Sequence, residues 1–197
     1  IARVFGGGPV GVEAVAHTMN LTTDTLIDEV EPYLLRSELV VRKLAYYTGL
    51  TLSPAENLFR VTQSMGDVLA YSGAMRRLAV EVGKIASDLR LLSMGPRAGL
   101  WEITLPAVQP GSSIMPGKVN PSIPEMVNQV CFQVMGCDMT VALACEAGQL
   151  ELNVMMPVIA WNALLASTIL RESLLVMRTR CVDGIIVSAE RARELLE

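Results

Sequence analysis

Three stretches of this chain, 65–93, 124–148 and 157–186, are long, periodic and apolar on most faces, and they leave few architectures open. In the first, Val68, Leu69, Met75, Leu78, Ala79, Val82, Ile85, Ala86, Leu89 and Leu92 recur at helical spacing. Arg76, Arg77, Lys84 and Arg90 sit mostly off that stripe. The second is apolar almost all round, interrupted by Asn128, Gln129, Gln133 and Asp138. As helices of roughly 25–30 residues, each would run about 40 Å. A helix apolar on most faces has to be buried on most faces. The spacing therefore predicts an all-α fold, a long antiparallel helix bundle. Composition agrees: hydrophobic residues are 51% and aromatics 5%, with the excess in Ala, Val, Leu and Met, which favours packed helices over sheet. A mean hydropathy of +0.41 implies that some apolar surface meets another chain or parts of the protein outside this sequence.

The bundle domain is expected over 32–197, after a loop-rich stretch at 1–31. Gly6, Gly7, Gly8, Pro9 and Gly11 make a flexible turn, and with no GK[ST] after them they are not a phosphate loop. A weak helix with a solvated acidic face is expected around 23–30. Pro32 opens a helix that Gly49 closes. Ser53-Pro54-Ala55-Glu56 reads as a capping box for a short helix reaching about Gln63. Gly95-Pro96 stops the first long helix, and 95–121 follows as a long irregular connection, of a kind usually functional in a compact domain.

Several function classes fall away. The net charge is −4 with no basic cluster, which argues against nucleic acid. Cys131, Cys137 and Cys145 share one helical segment and lack a CxxC pair. With Cys181 they read as buried, reduced thiols of a cytoplasmic protein. His17 is the single histidine, so no zinc site is expected, and no cofactor is called for. No basic-then-apolar block of a signal peptide is visible around FGGGPVG at 5–11. The uncharged run 152–170 approaches membrane-spanning length, but Asn153, Pro157 and Asn162 within it favour a core helix.

The polar exception is GSSIMPGKVNP at 111–121, which holds Ser112, Ser113, Lys118 and Asn120 in a loop between buried helices. Lys118 is a point cation with a long reach. Pro121 and Ser122 lead into a helix start whose free N–H groups and dipole favour an anion. On residue chemistry alone two readings stand: an anion site, or a structural loop carrying a solvated lysine.

The string GSSIMPGKVNP resembles the signature of the fumarase/aspartase superfamily. IMPGKVNP is similar to the branch that holds class II fumarases and aspartases. SPAEN at 53–57, SGAMRRLA at 72–79, KIASDLRLLSMGPRAGL at 84–100 and VNQVCFQVMG at 127–136 resemble the same branch. EAGQLELN at 146–153 is closer to its aspartase wording. The likeness runs from about 33 to 184 and weakens at 1–32, where FGGGPVGVEA matches the family poorly and Val12 and Glu13 are out of pattern.

This resemblance implies the central domain of the family fold, contributing to a homotetrameric helical core. The family's N-terminal and C-terminal domains are expected to be absent. The implied reaction is reversible deamination of L-aspartate, a small dicarboxylate, to fumarate and ammonia. Hydration of fumarate is the alternative, and an inactive chain that only self-associates is a third. By the motif, Ser112 is the general base, and Ser113, Lys118, Val119 and Asn120 bind substrate, Val119 mainly through its backbone. Glu125 orients a histidine from another segment. No metal ligands are implied. His17 does not match the family's Thr-His pair. The 95–121 stretch would be a lid. Trp101 stands where the branch usually has Asn, Pro110 where it has a small residue, and Met156 where aspartases commonly have Glu.

Overall fold

The computed structural model describes residues 38–197 apart from 112, 113 and 116, and for Leu58 and Phe59 the backbone only. The expected glycine turn at 6–11, the 23–30 helix and His17 lie outside the described residues. Helices dominate: α1 over 38–48, α2 over Leu58–Gln63, α3 over Gly66–Leu92, α4 over Ser122–Glu146, α5 over Met156–Arg180 and a short α6 over Ala189–Glu194. The all-α expectation holds. One antiparallel pair departs from it, β1 (Ile103–Thr104) with β2 (Ile186–Val187), in the register Ile103 to Val187 and Thr104 to Ile186.

The helix ends follow local chemistry. Gly49 closes α1 at φ +68, its N–H donating to the Ala45 carbonyl. The capping box at Ser53 is not used. Residues 51–55 are irregular, and α2 starts at Leu58 because the Asn57 side chain accepts from the Arg60 N–H at 2.8 Å. Helix α4 begins at Ser122, ahead of the expected Pro124. Proline is tolerated there because the first-turn N–H groups have no helical partner to lose. Helix α5 ends at Arg180, short of the expected Ile186. A 3-10 turn at Val182–Gly184 follows, and β-branched Ile186 and Val187 leave for the sheet.

Two compact units result: residues up to Gly66 together with Ala144–Pro157, and Asp67–Leu143 with Val158–Glu197. In the first, fully buried Asn153 seals the end of α4. Its Nδ2 donates to the carbonyls of Ala144 and Cys145, and its Oδ1 accepts from the Met155 N–H. Every polar atom of that side chain is therefore satisfied.

The second unit holds the main core. Ala79, Val82 and Ala86 of α3 meet Val127, Cys131, Val134 and Cys137 of α4 and Ala166, Leu170 and Met177 of α5. Small residues on α3 allow close approach: a Cβ on Gly83 would sit 3.5 Å from the Cys131 Cβ. Burial pushes the Cys131 and Cys181 thiols above the usual thiol range, so they stay protonated. All four cysteines are free. Helix α5 lies in the only described segment long and apolar enough to cross a membrane. It carries Arg171 and Glu172 mid-length and lends Ala166, Leu170 and Met177 to the core. Burial on most faces is not reached within the chain. Phe132, Met139 and Leu143 of α4 and Trp161 and Leu164 of α5 are each more than 60% exposed.

Candidate active site

The connection from α3 to α4 is anchored in its first part. The Glu102 N–H donates to the Leu92 carbonyl at 3.0 Å, and the Glu102 carbonyl accepts from Ser188 at 2.8 Å. The β1–β2 ladder follows at once. Arg191 adds Nε to the Leu100 carbonyl at 3.1 Å and Nη2 to that of Gly99 at 3.5 Å. Two-residue strands far apart in sequence give no periodic signal, so this anchoring was not expected of a lid. Trp101, out of the branch's pattern, takes the left-handed region at φ +52, where a bulky residue is strained and Asn is tolerated.

The second part turns on itself. The Lys118 N–H donates to the Met115 carbonyl at 3.1 Å, with Gly117 at φ +83 inside the turn. Gly111, at φ +96, lies under the Lys118 carbonyl, which an added Cβ would meet at 2.8 Å. The chain then enters α4 with the Ser122 N–H on the Asn120 carbonyl and the Glu125 N–H on the Pro121 carbonyl.

The two parts enclose a cleft of about 510 Å³, within the range of small-molecule sites. Lys118, Val119 and Asn120 line it, joined by Arg90, Ser93, Trp101 and Thr104. Three of the six residues assigned from the motif thus share one cleft. Ser112 and Ser113 lie outside the described residues. Glu125 sits half-buried in the first turn of α4 and does not line the cleft. Arg90, Ser93, Trp101 and Thr104 were not among the expected site residues. The basic, off-stripe position of Arg90 near the end of α3 was the one available signal. Among the described residues no group of three His, Cys, Asp or Glu is placed to hold a metal ion.

The cleft and the helices around it can be set beside known proteins. A family model described as "Lyase" matches residues 31–136, more than half of the chain. The chain belongs to this lyase family. The aspartate ammonia-lyase of Pseudomonas aeruginosa is 50% identical over 160 residues, 81% of this chain and 34% of that protein. Among solved structures, the fumarate lyase:delta crystallin from Brucella melitensis bound to cobalt is 52% identical with a TM-score of 0.75, covering 78% of this chain and 34% of that one. The recombinant class II fumarase from Schistosoma mansoni is 34% identical with a TM-score of 0.72, covering 89% and 38%. The chain thus spans about a third of the length of the curated relatives it matches. Residues 1–45 match a different model, the RuvB C-terminal winged helix domain, which accords with the weak lyase likeness at 1–32.

Proposed function

We propose that this chain is the central helical part of an ammonia-lyase that converts L-aspartate reversibly to fumarate and ammonia. The observation that carries the reading is the half-identity with aspartate ammonia-lyases over four-fifths of the chain, signature loop included. The cleft supports it chemically: Lys118 and Asn120 side by side offer a cation and amide donors to a carboxylate.

In this mechanism Ser112, as its alkoxide, takes the proton from the carbon beside one carboxylate. The C–H electron pair becomes the double bond, and the C–N pair leaves with the nitrogen as ammonia. The intermediate carries two negative charges on that carboxylate, so catalysis rests on fixed positive charge and donors aimed at it. Ser113, Lys118, the Val119 backbone and Asn120 supply them, and Glu125 orients a histidine from another segment. A serine hydroxyl ionises near neutral pH only in a dry, electropositive site, which closure of the loop over substrate would provide.

The protein works as a cytoplasmic homotetramer in this reading, with each site shared between subunits. The exposed Phe132, Met139, Leu143, Trp161 and Leu164 supply faces for such helix packing. They equally support a narrower reading, a chain that only self-associates. A class II fumarate hydratase is the other alternative, favoured by the likeness to the Schistosoma mansoni fumarase. Fumarate absorbance separates the three when the protein carrying this chain is given L-aspartate or L-malate. Turnover of aspartate is expected, turnover of malate alone identifies a hydratase, and turnover of neither leaves the self-associating chain.

A further inference from the structure

We infer that Arg90 is a second carboxylate-binding residue of the cleft, so that the site grips a small four-carbon dianion between Arg90 and Lys118. This deepens the reading above and rests on its assignment of Lys118. The chain as a whole is acidic, at −4, yet the charged residues lining the cleft, among those described, are Arg90 and Lys118, both positive. Ser93, Thr104 and Asn120 add neutral polar groups to the same lining. Two cations with no carboxylate among the described lining residues suit a ligand with two negative charges better than one.

Arg90 is also held ready. Its Nη1 donates to the Asn128 Oδ1 at 3.1 Å. Asn128 is buried, and its orientation is fixed from the other side: Nδ2 donates to the Gly83 carbonyl at 2.8 Å and to the Ser87 Oγ at 3.1 Å. Ser87 in turn donates to the same Gly83 carbonyl at 2.9 Å. With both amide donations made on α3, the Asn128 oxygen has to face Arg90. A neutral amide steers the guanidinium without cancelling its charge, and it occupies one of five N–H donors. The neighbouring acid Asp88 is paired with Lys84. Among the described residues Arg90 therefore has no carboxylate partner, and it presents an oriented fork, the geometry that suits a carboxylate.

Trp101 lines the same cleft, which makes the proposal testable without turnover. Within residues 1–197 the other tryptophan is Trp161, on a face proposed for subunit packing; the conservative Trp161→Phe keeps an aromatic ring there and leaves Trp101 as the reporter of this chain. Titrating this variant with succinate should give a saturable change in fluorescence. Propionate, with one charge, should bind at least about tenfold more weakly, and neutral succinamide should give no saturation. Adding Arg90→Gln or Lys118→Gln should each raise the apparent Kd about tenfold or more, with melting midpoints within about 2 °C of the parent. If Arg90→Gln melts early, Arg90→Lys decides: it keeps the charge without the fork, and the Kd should rise about three- to tenfold. Unchanged affinity in the folded Arg90 variant, with binding lost in Lys118→Gln, would overturn the role of Arg90 and leave the site reading standing. Unchanged affinity in both, or no saturable succinate signal, would overturn the site reading as well.

Discussion

Between α3 and α4 the chain passes first through 95–106, where bonds reach far along the sequence, and then through 111–121, where the backbone bonds seen among the described residues join near neighbours. In the first part Glu102, Ile103 and Thr104 bond to the backbone of Leu92 and of 186–188, and Arg191 holds the carbonyls at 99 and 100. In the second, Lys118 bonds back to Met115 and Ser122 to Asn120. Their glycines differ in the same sense. A Cβ on Gly99 would lie 2.2 Å from the Met94 carbonyl oxygen, so this glycine serves close packing. Gly117 has open space around it and a φ of +83, so it serves the turn. One wall of the cleft is thus built as scaffold, and the other carries the groups proposed for the chemistry.

The largest effect that would sharpen this contrast is at Ser112. In the protein carrying this chain, Ser112→Ala should lower kcat for aspartate by about 10³-fold, the scale of losing a positioned general base. Near-normal turnover would reject Ser112 in that role. Next comes the scaffold. Gly99→Ala should cost about 3 kcal/mol in denaturant unfolding, because backbone rather than a flexible side chain has to move. Gly117→Ala should cost only about 1–2 kcal/mol, the ordinary expense of a left-handed alanine. Equal costs at the two positions would erase the distinction. A smaller loss is expected from Arg191→Ala, about 1–2 kcal/mol for two hydrogen bonds to backbone carbonyls, read as a lower melting midpoint. The smallest change should be a gain. Trp101→Asn places a residue that tolerates positive φ at φ +52 and should raise stability by about 0.5–1 kcal/mol in denaturant unfolding, the relieved strain outweighing the lost indole contact with Gly95.

The long helices were legible because their apolar repeats are local. The 65–93 expectation became Gly66–Leu92. The capping box at Ser53 misled because Asn57, four residues on, offers a cap in direct contact with the Arg60 N–H. The overrun of the last long helix to Ile186 has a similar cause. An apolar, β-branched run reads as helix until a strand partner is known, and that partner, Ile103–Thr104, lies far back in the chain. The loop residues Lys118, Val119 and Asn120 were legible as a contiguous motif and share one cleft. Arg90 was not, since its place there depends on how α3 ends beside the loop and on Asn128, a polar interruption in an otherwise apolar helix.

The division between a scaffold wall and a chemical wall is tested most directly by Lys118→Ala, measured for both thermal unfolding and fumarate formation from aspartate. Lys118 is exposed and makes no ion pair among the described residues, so its removal should leave the melting midpoint within about 2 °C while lowering kcat/KM by about 10²-fold or more. A variant that turns over aspartate like the parent, or that loses stability as Gly99→Ala does, would contradict the account.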